Sequence, residues 1–361
     1  MDPKQILIVI QRSNGDVFLS GPLKDQLQQQ YPDVQIDLLV NQDTLAIAKT
    51  LAGIRQIYTY DYGWKKAGLW RRLAQEWKLI QSIFGHYDIA INLTASDRSV
   101  LYAILGGKIS ISAVESERKK SWWKRIFLTH VFEVDPNRHV VRHNTMPLSK
   151  LSIGLKRIEI QADYPASALT EVDNLSFDIN KPYLIFHPGA QYDYKIYPQP
   201  LRDKLLVMLN TLGLPIVVSG GPNAIERQIS LSLPALENVY DMIGKTSLPG
   251  YMALCDHALA YVGMDTLNMH IAAAQNKRIF AIFGPSLPQV WSPWSNRLQQ
   301  ATECSLPVQT YGNITLFAAE MACVACGKAG CDDRHGKSEC LEKIAPETIF
   351  EEVRRWLTTS V

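Results

Sequence analysis

No apolar run in this chain approaches the length of a bilayer-spanning helix. The longest are strand-sized, which excludes an architecture organised around transmembrane helices. A secretory leader is not expected either. Met1-Asp-Pro-Lys-Gln enters the apolar segment Ile6–Ile10 with no basic region, long apolar core and cleavage site, so a cytoplasmic chain is expected. Excess charge of either sign is absent: 37 Lys and Arg face 35 Asp and Glu, too even a balance for nucleic acid as the main partner. The Gly-x-Gly-x-x-Gly fingerprint of a nicotinamide dehydrogenase does not follow the first apolar segment, where the loop reads Gln11-Arg-Ser-Asn-Gly-Asp16. Tandem repeats and low-complexity stretches are lacking too. What remains is an ordinary globular composition, 47% hydrophobic and 20% charged, in 361 residues, a length that suits two domains.

The first half alternates two periodicities. Continuous apolar runs at Ile6–Ile10, Gln35–Val40, Tyr87–Asn92 and Ile109–Ser112 predict buried strands, with a short strand at Ile57–Tyr60. Between them, Val17–Gln30, Thr44–Leu51, Leu69–Phe84 and Ser99–Leu105 have helical spacing, and another helix is expected around Asn144–Gly154. Strands alternating with helices imply an α/β fold with a parallel sheet. The polar, irregular stretch Ile158–Lys181 interrupts this pattern, which restarts at Tyr183. The expected organisation is a first domain over 1–165, a linker over 166–182 and a second domain over 183–345. A terminal helix over 346–361 completes it.

The polar residues of the second half gather at strand ends. Tyr183-Leu-Ile-Phe-His187-Pro-Gly189-Ala190 reads as strand and turn, with Lys195 just beyond. Leu214-Pro-Ile-Val-Val-Ser-Gly220-Gly221-Pro222 is a second strand and turn, with Glu226 in the next helix. Gly244-Lys245-Thr246-Ser-Leu-Pro249 looks like a helix start, and its Lys245 and Thr246 can reach a nucleotide. Most informative is Tyr261-Val-Gly-Met-Asp265-Thr266-Leu-Asn-Met-His270. Here an apolar strand runs into a helix N-terminus carrying an acid and a hydroxyl, with His270 a turn further on. Helix N-termini at strand ends offer free N–H groups and a positive dipole end to phosphate. Each of these residues has a plainer reading as a cap, a turn or a solvated surface group.

The ordered set His-Pro-Gly-Ala … Lys … Gly-Gly-Pro … Gly-Lys-Thr-Ser-Leu … Asp-Thr … His … Phe-Gly-Pro resembles glycosyltransferase family 9, the ADP-heptose:lipopolysaccharide heptosyltransferases. The match covers nearly the whole chain. Within the family, Asn14-Gly-Asp16, Leu38–Thr44, Tyr87–Thr94 and Ser121–Arg125 resemble the enzymes that add the branch heptose of the inner core. The resemblance implies two Rossmann-like domains facing a central cleft, the glycosyltransferase B fold, with the terminal helix packing back on the first domain. It implies an inverting, single-displacement transfer from ADP-heptose to a lipid A–core lipopolysaccharide acceptor. Asp16 is then the general base and Lys195 stabilises the departing diphosphate. The donor is held by His187, Gly189, Gly220, Gly221, Glu226, Lys245, Thr246, Asp265, Thr266 and His270, and no metal is needed for catalysis. One departure is Leu267, where the family carries Gly, because a side chain there limits close backbone approach to a ligand.

Two features lie outside that core. Cys323, Cys326, Cys331 and Cys340 begin with a Cys-x-x-Cys and continue irregularly, a pattern that fits either a structural zinc or four free thiols. Two basic–aromatic stretches contain Lys65, Lys66 and, further on, Arg118, Lys119, Lys120 and Lys124, with tryptophans between them. Either these are solvated faces or they meet a phosphorylated, lipid-anchored acceptor at the cytoplasmic face of the inner membrane. Rival readings are a zinc-stabilised interaction protein and a transferase of the same fold with another sugar donor.

Overall fold

The computed structural model describes residues 2–66, 68–173, 175 and 177–360. It divides into two compact units, Met1–Ile160 and Gln161–Val361. The first unit runs β1 (Gln5–Ile10), α1 (Asn14–Phe18), α2 (Gly21–Gln30), β2 (Gln35–Asn41), α3 (Leu45–Ala48), β3 (Ile54–Tyr60) and α4 (Leu69–Ile83). It continues through β4 (Tyr87–Asn92), α5 (Asp97–Gly106), β5 (Gly107–Val114), α6 (Arg118–Phe127), β6 (His130–Glu133), α7 (Val140–Asn144) and α8 (Pro147–Lys150). Its six strands form one sheet in the order β3-β2-β1-β4-β5-β6, every pair parallel. Ile6 to Ile10 are fully buried because helices cover both faces of the central strand, which is why the run is apolar without alternation.

The second unit holds α9 (Ala166–Asp173), β7 (Leu184–His187), α10 (Gln199–Asn210), β8 (Ile216–Val218), α11 (Ala224–Leu231), β9 (Val239–Asp241) and α12 (Leu248–His257). Then follow β10 (Ala260–Met264), α13 (Leu267–Ala274), β11 (Arg278–Ile282), α14 (Pro288–Trp291), β12 (Val308–Tyr311), β13 (Ile314–Phe317), α15 (Glu339–Glu342) and α16 (Pro346–Ser360). The sheet order is β12-β13-β11-β10-β7-β8-β9, parallel except for the edge strand β12. Both sheets are doubly wound, and each reverses its strand order at one point: between β1 and β4 in the first, between β7 and β10 in the second. In open α/β sheets that reversal opens the crevice where ligands bind.

Two expectations change. The segment expected to be one helix over Val17–Gln30 is two, because Gly21-Pro22 restarts the chain after Ser20 and proline suits the first turn of the new helix. Much of the expected linker is α9, which packs on α12, so the division falls at Ile160; Asn174 and Ser176 of that stretch lie outside the described residues. The terminal helix α16 lies along α10, with Ile349 and Val353 in the core of the second unit.

Candidate functional site

In the first unit the strand reversal puts Gln11, just past β1, beside Thr94, just past β4: the Gln11 amide donates to Thr94 Oγ1 at 3.0 Å, and Asp16 lies in the helix that this loop enters. Asp16 is buried in the first turn of α1. Its Oδ2 accepts from Ser13 Oγ at 2.5 Å and from the Ser13 amide at 3.3 Å, closing a capping box around the helix start. Its Oδ1 meets Arg12 Nε at 3.0 Å. Ser13 is therefore the cap, and Asp16 is a carboxylate hydrogen-bonded at one oxygen and ion-paired at the other. A fixed carboxylate at a strand reversal can take a proton from a hydroxyl presented to it.

The surroundings of Asp16 hold residues that the sequence did not single out. Arg98, at the start of α5, lies over the Tyr60 ring at 3.7 Å and reaches Gln11 Oε1 at 3.5 Å. His143 of α7 is buried, packs on Phe132 with ring centroids 5.4 Å apart, and finds no hydrogen-bond partner at either ring nitrogen among the described residues. Burial, then the nearby Arg12 and Arg138 guanidiniums, push its pKa down to about 4. Arg12 was legible as an (i, i+4) partner of Asp16; the other two depend on tertiary placement.

In the second unit the ends of β7 and β10 meet at the reversal. They approach closely: a Cβ on Gly263 would sit 2.3 Å from the His187 carbonyl oxygen, so only glycine fits. Asp265, buried at the end of β10, receives Lys195 Nζ at 2.9 Å, with the lysine a quarter exposed (26%) and the acid 6%. Thr266 occupies the N-cap of α13 but its side chain makes no capping bond, so the helix start keeps amides that nothing on its own turn uses. His270 is buried one turn along the same helix.

His187 is enclosed. Its Nδ1 lies 3.0 Å from the Ser219 carbonyl, 3.1 Å from Ser219 Oγ and 3.2 Å from Asn268 Nδ2. Burial lowers its pKa to about 4, so the imidazole is neutral, and the 3.9 Å approach of its Nε2 to Glu226 Oε1 is not an ion pair at neutral pH. Glu226 belongs to this turn and not to an outer helix face. Its Oε2 accepts from the Gly221 amide at 2.9 Å and from the Asn223 amide group, while burial raises its pKa. A Cβ on Gly189 would meet Glu226 at 2.5 Å, one on Gly220 at 3.2 Å and one on Gly221 at 3.0 Å, so the three glycines make room for this one carboxyl. Lys245 is exposed and donates to the Asp241 carbonyl at 2.7 Å; Thr246 is half-buried beside it. Ser247 caps α12 through the Gly250 amide.

Two expected assignments meet the structure differently. Lys124 is fully buried, so it cannot present its ammonium to an acceptor. Its Nζ donates to the Ala95 carbonyl at 2.6 Å and to both oxygens of Glu115 at 2.9 Å, with Asp97 Oδ1 at 2.8 Å, which locks α6 against the start of α5. Lys65, Lys66, Arg118, Lys119 and Lys120 are exposed, as expected. In the cysteine-rich segment Cys323, Cys326 and Cys331 are exposed and Cys340 is buried, its thiol pushed up to about 11 by burial and then by the neighbouring thiols. Among the described residues no group of three or more His, Cys, Asp or Glu side chains is arranged to hold a metal ion. The segment instead braces the Lys195 loop. His335 stacks on Tyr192 at 5.5 Å, Tyr192 stacks on Tyr194 at 5.4 Å, and Ser338 Oγ donates to the Tyr194 carbonyl at 2.7 Å.

Two doubly wound units, one carrying a fixed carboxylate and the other a lysine held at a helix N-terminus, have the parts of a group-transfer enzyme acting on a phosphorylated ligand. The sequence profile of glycosyltransferase family 9 (heptosyltransferase) matches residues 76–311, and the chain belongs to that family, whose members are glycosyl-transferring enzymes. It is 28% identical over 299 residues to lipopolysaccharide heptosyltransferase 3 of Escherichia coli, covering 80% of this chain and 86% of that protein. Lipooligosaccharide heptosyltransferase 2 of Haemophilus ducreyi is 27% identical over 312 residues, covering 81% and 87%. The fold matches the solved ADP-heptose lipopolysaccharide heptosyltransferase II of Escherichia coli with a TM-score of 0.74 at 19% identity, covering 98% of this chain and 99% of that one.

Proposed function

We propose that this enzyme moves heptose from ADP-heptose to a heptose of the lipopolysaccharide inner core, with inversion, at the step that heptosyltransferase 3 carries out in Escherichia coli. The observation that carries the reading is the Lys195–Asp265 pair at the start of α13, 2.9 Å apart. Departure of ADP develops charge on the diphosphate. An ammonium held in place by a buried carboxylate, beside free helix amides, stabilises that charge with no reorganisation at the moment of reaction. His187 is neutral and Glu226 is held by the Gly221 backbone amide and the Asn223 side-chain amide, so both serve as donor-binding groups.

On the acceptor side Asp16 accepts the proton as the hydroxyl attacks the anomeric carbon. Ser13 and Arg12 fix the orientation of its carboxylate. Lys195 and the α13 N-terminus supply the positive charge at the diphosphate, so the reaction as proposed does not call on a metal ion. The test is a donor panel with a heptose-bearing, core-truncated lipopolysaccharide. ADP-heptose should give acceptor-dependent ADP release and an α-linked product by NMR. Turnover of a different nucleotide sugar in its place would keep the fold and reassign the substrate.

A further inference from the structure

The first unit carries an exposed apolar surface that neither the carboxylate site nor the core explains. On α4, Trp70 (83% exposed), Leu73 and Trp77 recur at i, i+3, i+7, with Leu69 beside them. On α6, Trp122, Ile126 and Phe127 are each more than 60% exposed. Helix α5 packs between these two helices and adds the half-exposed Leu101. All three helices carry crossovers that run the same way across the sheet, from β3 to β4 to β5 to β6, so right-handed connections place them on one face, in one helical layer. Exposed tryptophans at helical spacing, backed by a separate buried face (Leu79 and Ile83 on α4), are not core residues that failed to close.

Charge says what covers this surface. Residues 62–84 and 117–127 hold five cations each against one acid each, in a chain whose net charge is only +2, so the rest of the chain is net negative. Arg71 and Lys78 flank the α4 stripe and are exposed, as are Lys65 and Lys66 before it. Arg118, Lys119 and Lys120 crowd the first turn of α6, where the helix dipole disfavours cations, and among the described residues only Lys120 is ion-paired, with Glu117 at 2.7 Å. Cations placed against the local dipole, beside tryptophans in water, fit an external anionic surface into whose interface the rings insert.

We propose that α4, α5 and α6 form a dock for an anionic lipid bilayer surface, with Trp70, Trp77 and Trp122 as the inserted anchors and Lys65, Lys66, Arg71, Lys78, Arg118 and Lys119 meeting the headgroups. The dock does not depend on which sugar the enzyme transfers. Lys124 takes no part, being consumed within the protein.

The test is co-sedimentation of the full chain with vesicles of phosphatidylcholine alone or mixed with phosphatidylglycerol. Binding should require the anionic lipid and fall steeply with added salt; each headgroup-facing cation contributes about fivefold to the affinity. Trp70→Ser/Trp77→Ser/Trp122→Ser should weaken binding at least about tenfold while melting at the wild-type temperature, because all three side chains are exposed. The salt and lipid dependence of the wild type needs no substitution and stands even if the variant misfolds. Failure of the wild type to bind anionic vesicles, or equal binding to neutral ones, would overturn the proposal. So would lipid-free self-association that the tryptophan variant abolishes, since the surface would then meet a second copy of the chain.

Discussion

Lys195→Ala separates a structural lysine from a catalytic one. The ammonium sits 2.9 Å from Asp265 Oδ2, and its removal strands a carboxylate that is only 6% exposed. A fully buried pair broken in this way costs about 3–5 kcal/mol. Lys195 is a quarter exposed (26%), so water can reach the stranded acid and the cost drops to about 1–3 kcal/mol. In a two-unit chain of this size that lowers the melting temperature by roughly 2–4 °C per kcal/mol. The rate should fall much further. Loss of one preorganised charge-stabilising donor typically costs a factor of about 10²–10³ in kcat. The second variant decides the matter. Lys195→Met/Asp265→Asn removes both charges and should recover much of the stability, since no uncompensated charge remains, while the rate stays low. The assays are calorimetric melting and steady-state ADP release on the same preparations. Recovery of rate in step with stability would refute the reasoning, because the pair would then only hold the loop.

His143→Phe tests the buried imidazole. Its pKa falls from the ordinary 6.5 to about 4 on folding, so the unfolded chain binds the extra proton between those values. Stability is therefore complete above pH 6.5 and declines by up to about 3 kcal/mol toward pH 4. The phenylalanine variant should lose this part of the acid limb in urea titrations at pH 5 and pH 7; an unchanged pH difference would contradict it. Lys124→Met should lower stability by about 2–3 kcal/mol, since Glu115 and Asp97 regain water once unpaired, and should leave vesicle binding untouched. A thiol reagent should find Cys304, Cys323, Cys326 and Cys331 in the native protein, with Cys255 and Cys340 reacting only after unfolding; protection of the Cys323–Cys340 set that a chelator reverses would assign it a bound metal.

Much of this was legible because burial leaves a one-dimensional trace. β1 and β10 are covered on both faces, so their apolar runs are unbroken, and the polar residues that end them had to face the strand reversal. The break between α1 and α2 was hidden because Leu19, Leu23 and Leu27 keep helical spacing through it; Gly21-Pro22 was the contrary signal. Lys124 looked like its basic neighbours. Its burial follows from Glu115 and Asp97, which the fold brings to it and composition does not reveal. Glu226 entered the site only through the family resemblance, because the three glycines that admit it come from two separate turns and no local pattern joins them. The stack of Tyr192, Tyr194 and His335 joins segments about as far apart in sequence as a whole domain is long, and no local pattern announces it.

The central claim is that Asp16 takes the proton from the acceptor hydroxyl in heptosyl transfer. The direct measurement is ADP release from ADP-heptose with a heptose-bearing, core-truncated lipopolysaccharide, wild type beside Asp16→Asn, with ADP affinity measured on both. The amide can still accept from the Ser13 amide, so the α1 cap should largely persist. Acceptor-dependent release in the wild type, its loss in Asp16→Asn and equal ADP affinity in the two are the expected results. Release that survives the substitution, or a variant that loses ADP binding and unfolds together, would contradict the assignment and return Asp16 to a capping residue.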